Sequence, residues 1–490
     1  MQLLSPYEPT DADPFDEARA AHLARRAGFG ATRARLRELV ALGPERAVAS
    51  YTDFPARDEA LEAELSALGG PLVDFSVAPG VGPLDPLRRW WIHRMVHGTH
   101  ELQEKLTLLW HDHFACQESK VVRLPMLLDQ NRTFRQYGAG PFRALLGAVA
   151  RDPAMLHYLD NRLSTKEAPN ENWARELLEL FALGVDHYTQ EDIVELARVF
   201  TGWTTPGLGE NTFQFDAALH DAEDKVLFGE GLRGRDGDDG VLEGEEALDR
   251  IVARPDCARF LATKLLGWFG AHDMDLVGDS VVDELAAVLA EHDLDIRVAL
   301  RTLFRSRWFF DPARRFAMVR NPVTYVVAAA RAIAVQNADR AGLERATSRM
   351  GMRLLEPPSV GGWEHGLAWA GPGTAAARLE VALALSELPH ASRRIVGRAT
   401  IDVDALLDGD ELAAEDPSDG IVDALLHRLW PEAARSGSAP LDDVRHAALV
   451  SIARGALDRA PAELAPQKRL RAAVRATLHM VLALPEVALE

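Results

Sequence analysis

In almost every segment of this chain the apolar residues recur three and four positions apart, and the dominant residue types, Ala, Leu, Arg and Glu, are strong helix formers. That pattern predicts a mainly α fold, a large multi-helical domain. Asp13-Pro14 offers an N-cap followed by a proline at the first helical position; the helix runs through Arg26, and Gly28-Phe29-Gly30 ends it. A second helix begins near Ala31. Others read at about 85–97, 100–114, 141–150, 171–183, 190–200, 245–269, 279–305, 321–336 and 374–386, with two more closing the chain near 441–457 and 467–483. The stretch from Thr205 to Gly244 lacks helical period and has short alternating pieces, which predicts a small irregular or hairpin insertion at 205–244. Glu356 to Thr374 (EPPSVGGWEHGLAWAGPGT) combines prolines, glycines and two tryptophans, as loops that line sites do. An acidic, turn-rich run at about 401–438 divides the chain into a main helical domain at 1–390, bearing the site, and a C-terminal helical segment at 391–490 packed on it.

Composition narrows the function. Of the 490 residues 47% are hydrophobic and 26% charged, enough to bury a sizeable core and too apolar for disorder over most of the length. Lys and Arg number 54 against 74 Asp and Glu, a formal charge of -20, and the basic residues form no stripe. Nucleic acid and anionic membranes are therefore not expected as partners. No apolar run approaches the roughly 18 residues of a membrane span. The start, MQLLSPYEPTDADPFDE, has neither a basic nor an apolar signal region, so the expectation is a soluble cytoplasmic protein. Two cysteines, Cys116 and Cys257, cannot form a disulfide framework and read as buried small hydrophobes.

The most informative helix is THELQEKLTLLWHDHF, Thr99 to Phe114. Leu102, Leu106, Leu109 and His113 share one stripe, which turns His113 inwards, while His100, Glu104, Thr107 and His111 share the opposite one. His93 and His97 extend that second stripe only if the preceding helix runs through Gly98. A second helix, from Asn170 as N-cap to the stop at Gly184, places Trp173, Leu177, Leu180 and Phe181 on an apolar face and Asn172, Glu176 and Glu179 on another, with Glu171 and Arg175 as an acid-first pair. Carboxylates grouped in this way suit metal binding or acid and base roles, and a solvated charged face fits equally. His157, Asp160 and Asn161 lie beside the loop leading into this helix. Thr189 to Asp192 reads as a capping box. His220-Asp221, with Lys225 nearby, sits in the non-helical insertion. Phosphate loops, nucleophile elbows, HExxH and dinucleotide fingerprints do not occur.

The ordered runs EKLTLLWHDHF, MLHYLDN and PNENWARELLELFALGVDHYTQEDIVELARVFTGW, followed by HDAEDKVLFG, CARFLATKLLGWF, LLEPPSVGGW and HMVLALPEV, resemble the large bacterial family known as domain of unknown function 1800 over almost the whole chain. The resemblance implies no activity. It marks Glu104, His111, His113, Asp160, Glu171, Arg175, Glu176, Glu179, His220 and Trp363 among its motif positions and leaves His93, His97 and His100 outside them. It also implies export and the company of a second, sulfatase-like family, from which this sequence departs in showing no signal.

The expected function is that of an enzyme with a buried His/Glu/Asp/Asn/Arg site performing acid–base or metal-assisted hydrolysis on a small-molecule or peptide substrate. His111, Asp160, Glu171, Arg175 and Glu176 are the catalytic candidates, with Arg175 holding an anionic group. His111, Glu176, Glu179 and His220 are the candidate ligands of a divalent metal ion. A non-catalytic helical binding or scaffold protein is the alternative, and a non-haem-iron oxidative tailoring enzyme the third reading. In geometric terms, His111, Asp160, one of Glu171, Glu176 and Glu179, and His220 should line one pocket, with His113 buried and His111 facing a cavity.

Overall fold

A computed structural model describes residues 2–55, 57–67, 85–207, 211–336, 342–386, 406, 417–430, 441–461 and 463–490. The fold is mainly α, and among the described residues the only sheets are two antiparallel pairs. β1 (Trp203–Thr204) pairs with β2 (Gln214–Phe215), and β3 (Lys225–Leu227) pairs with β4 (Glu230–Leu232), so the expected insertion holds one small ribbon and one strand of a second whose partner, β1, lies just before it. The long helices expected at 245–269 and 279–305 are each broken in two. Val241–Val252 stops before Pro255, which opens the helix Pro255–Phe269. Asp279–Glu291 stops before two left-handed residues, Asp293 and Leu294, and the next helix, Ile296–Arg305, starts on the N-cap of Asp295. Helical period continues across both breaks, because the apolar faces on either side bury against one core. The expected boundary near residue 390 lies outside the described residues.

Helix Glu101–His113 runs through the centre, and all of its residues from Leu102 onwards are buried, the polar stripe included. The helices Pro417–Leu429, Asp443–Arg459 and Pro466–Leu482 pack on one another, and the last also packs on helix Pro372–Leu385. The final residues reach the centre: Val319 and Leu489 form a bridge, the Tyr325 hydroxyl donates to the Leu482 carbonyl at 3.0 Å, and Lys105 Nζ meets Glu490 Oε2 at 3.2 Å. Burial of the stripe on the central helix is made tolerable by counter-charges from other helices. Glu104 accepts from Arg135 Nε at 2.8 Å, Arg135 Nη2 at 3.0 Å, Arg94 Nε at 3.2 Å and the Trp91 indole at 3.1 Å.

Asp152 is a buried carboxyl of a different kind. It caps helix Pro153–Tyr158 by accepting from the Ala154 amide at 3.0 Å and also accepts from Gln130, whose amide nitrogen lies 3.2 Å from Cys116 Sγ. No cation balances it among these contacts, and burial pushes its pKa up to about 7. A carboxyl whose folded pKa is raised holds its proton more tightly when folded. Its contribution is therefore fully present below about pH 4 and is lost as pH rises towards 7, a swing of about 2–4 kcal/mol. Asp152→Asn keeps the cap and removes the titration. Denaturation midpoints measured from pH 4 to pH 8 should fall less steeply for this variant than for the parent chain; parallel curves would show that Asp152 ionises freely in the fold.

Candidate active site

The central helix ends in Trp110-His111-Asp112-His113, and the chain from Leu354 to His365 is laid across that end. His111 and His113 were expected on opposite sides, one open and one closed. Both are closed, at 2% and 3% exposure. His111 Nε2 accepts the Leu355 amide at 3.0 Å, and its ring lies between Trp91 and Trp363 with centroids 5.2 and 5.4 Å away. Burial, with a smaller contribution from Arg88, lowers its pKa to about 4, so it is neutral at physiological pH. The expectation that His111 faces a cavity is thereby corrected: the loop that follows Leu354 covers it. His113 Nε2 donates to the Phe181 carbonyl at 3.0 Å. That carbonyl belongs to Leu177–Ala182, where the glutamate helix Glu171–Glu176 widens into a π-helical turn.

Between these histidines stands Asp112, which is 1% exposed. Its Oδ1 accepts the Trp363 amide at 2.8 Å, and its Oδ2 lies 3.1 Å from Nε2 of His365. Gly362 makes this possible. Its φ of +84° suits glycine, and a Cβ there would sit 2.5 Å from Asp112 Oδ1. Lys264 on helix Pro255–Phe269 interacts electrostatically with Asp112, while burial lowers its own pKa. The side chain of His365 is 42% exposed and meets Trp268 edge-on with centroids 5.7 Å apart. Leu367, two residues on, is 82% exposed. The pair consists of a buried carboxylate, fixed by a backbone amide, directed at one nitrogen of an accessible imidazole. A neutral His365 that turned Nε2–H towards this carboxylate would keep the lone pair on Nδ1. This arrangement can take a proton from water or a substrate and return it.

The other expected residues fall elsewhere. Asp160, at the left-handed φ of +59°, pairs with Lys120 at 2.8 Å on the surface. Glu171 pairs with Arg175 at 3.1 Å as the spacing required, and Gln190 donates to the same carboxylate at 3.0 Å, so Arg175 is engaged on the surface. Glu179 accepts the Tyr188 hydroxyl at 2.9 Å. Glu176 is half-buried; burial, then Glu179, raises its pKa, and its charge in turn helps to raise that of Tyr158. His220 is sealed in a cluster of its own, with Nε2 3.2 Å from Glu243 Oε1, Nδ1 3.0 Å from the Thr201 carbonyl, and Lys225 Nζ 2.6 Å from Glu243 Oε2. Among the described residues no three His, Cys, Asp or Glu side chains gather closely enough to hold a metal ion, so His111, Glu176, Glu179 and His220 do not form one ligand set. The donor atoms of His111, Glu179 and His220 are used in three separate groups of contacts. Sequence reasoning passed over Asp112 and His365. The available signal was the position of Asp112 between two weighed histidines and of His365 inside the loop expected to line a site.

A mainly helical chain with polar motif residues buried between helices, and with no helix among the described residues long and apolar enough to cross a membrane, is the class that fold and site define. A family model described as "Protein of unknown function (DUF1800)" matches residues 22–489, and the chain belongs to that family. No curated protein and no solved structure matches it.

Proposed function

We propose that this protein is an enzyme that runs hydrolytic acid–base chemistry on a small-molecule or peptide substrate, with His365 as general base and then general acid. The observation that carries the reading is the 3.1 Å contact between buried Asp112 and the accessible ring of His365. Asp112 is the positioning residue: it fixes the ring and compensates the charge that the imidazole gains on accepting a proton. Lys264 and the Trp363 amide balance the carboxylate in its buried setting. Exposed Leu367 offers an apolar contact beside the imidazole.

The test is turnover of a panel of chromogenic esters, amides, glycosides and phosphate esters by the full chain and by His365→Ala. At least one class should be turned over, with a loss of about 100-fold or more in the variant and an unchanged denaturation midpoint. Equal turnover by both proteins, or none by the parent, would overturn the proposal. Dialysis against chelator should leave the rate unchanged; loss of activity and its restoration by a divalent ion would transfer the chemistry to the metal-assisted reading.

One observation favours the non-catalytic alternative. Most of the expected site residues, including His111, His220 and Glu179, have their polar atoms occupied by partners in the protein. Under that reading His365→Ala changes no reaction.

A further inference from the structure

At the opposite end of the central helix lies a cleft of about 700 Å³, between that helix's start, the Phe29–Thr32 turn, helix Arg33–Thr52 and the end of helix Pro322–Ala332. Glu101 and Asp112 are eleven positions apart, roughly 16 Å of helix, so this cleft is distinct from the His365 site. Its walls are apolar where Phe29, Val96, Ala330 and Val335 face it. Its size suits one small organic molecule.

The polar groups are asymmetric. Both carboxylates in the wall are already engaged. Glu101 accepts the Phe29 amide at 2.7 Å on one oxygen and Arg331 at 2.7 Å on the other, and Asp53 is held by Arg301. Arg331 also donates to the carbonyls of Met95, Val96 and Gly98, which neutralises the C-terminal end of helix Asp85–His97. The acceptors that would attract a cation are thus spent. Donors remain on the other side. Arg35 reaches Ser50 at 2.8 Å, and its counter-ion Glu38, also at 2.8 Å, is itself 58% exposed. Beside Arg35 is the buried hydroxyl of Tyr51, whose pKa is raised by burial and by Glu101, so that it keeps its proton. His100 Nδ1 is buried without a hydrogen-bond partner, its ring stacked on Phe54 at 6.0 Å.

We propose that this cleft binds a small organic anion, a carboxylate or phosphate monoester with an apolar body, its head at Arg35 and Tyr51 and its body against Phe29, Val96 and Val335. A guanidinium and a phenol form charge-assisted hydrogen bonds to such a head. The inference is independent of any reaction at His365.

Isothermal titration of the full chain tests it with four probes: phenylacetate, phenyl phosphate, inorganic phosphate and phenethylamine. At least one of the two aromatic anions should bind at one site per chain, at least about tenfold more tightly than inorganic phosphate, which lacks the apolar body, and than phenethylamine, which carries the wrong charge. Arg35→Met, at the cleft rim, should weaken that binding by about tenfold or more. Ala332→Trp, which fills the cleft, should abolish it, and an unchanged far-UV spectrum would certify the fold of each variant. Whichever anion binds more tightly identifies the head group. Phenethylamine binding as well as phenylacetate, neither aromatic anion binding at about 10 mM, or an affinity unchanged in the correctly folded Arg35→Met protein would overturn the proposal.

Discussion

Replacing Asp112 by Asn is expected to lower turnover at the proposed His365 site by roughly 10³- to 10⁴-fold, the scale of the same change in other Asp–His pairs. The argument is one of tautomers. In the proposed pair Asp112 Oδ2 can only accept, so a neutral His365 that turns Nε2–H towards it over the 3.1 Å separation keeps the Nδ1 lone pair for chemistry. In Asp112→Asn the Oδ1 position still accepts the Trp363 amide, now at 2.8 Å, and the new amide nitrogen becomes a donor where the carboxylate accepted. The ring then satisfies that donor with an Nε2 lone pair and carries its proton on Nδ1, and the base is lost while packing is kept. Two measurements separate this from simple damage. Long-range proton–nitrogen correlation spectra of histidine-labelled protein should show the tautomer of His365 exchanged in the variant, and kcat should fall far more than KM rises. Turnover within about tenfold of the parent would sink the positioning role.

Helical class, the capping box at Thr189–Asp192, the N-cap at Asn170, the Glu171–Arg175 pair and the inward turn of His113 were all legible from spacing, because each depends on residues within one or two turns. The environment of the opposite stripe was not. A helix whose second face is polar reads as half-solvated, and whether guanidiniums and a loop from other elements cover that face depends on contacts made ten or more residues away. Glu104 meets Arg135, and His111 meets Leu355. The same blindness hid Asp112–His365, which spans 253 positions and depends on a left-handed glycine to bring the loop down. The single-pocket expectation treated the polar motif residues as one another's neighbours. Instead His220 meets Glu243, and on the central helix Glu104 meets two arginines and Lys105 meets Glu490.

Glu104 therefore carries the largest expected effect on stability. Its side chain is almost wholly buried, and it joins Arg94 and Arg135, whose guanidiniums both lie over the Trp90 ring, at 5.1 and 5.5 Å from its centroid. Burial alone would raise the pKa of this carboxyl, but Arg135 and then Arg94 outweigh it and hold the group below its ordinary range. In Glu104→Ala the two guanidiniums remain buried together, with Glu62 at 2.5 Å from Arg94 as the remaining carboxylate and Asn131 at 2.9 Å from Arg135 as a neutral acceptor. Removing one member of a buried charge group leaves an uncompensated ion and costs about 3–5 kcal/mol. Replacing Glu104 and Arg135 together by methionine removes the orphaned charge as well as the pair, and should cost distinctly less than Glu104→Ala alone. That reversal, the double change being milder than the single one, distinguishes a compensated buried charge from ordinary side-chain packing, for which losses accumulate. Urea denaturation of the parent, single and double variants at pH 7 reads it directly. A single-variant loss below about 1 kcal/mol, the range of solvated surface pairs, would mean that water reaches this cluster and that the polar stripe of the central helix is not sealed by its ion pairs.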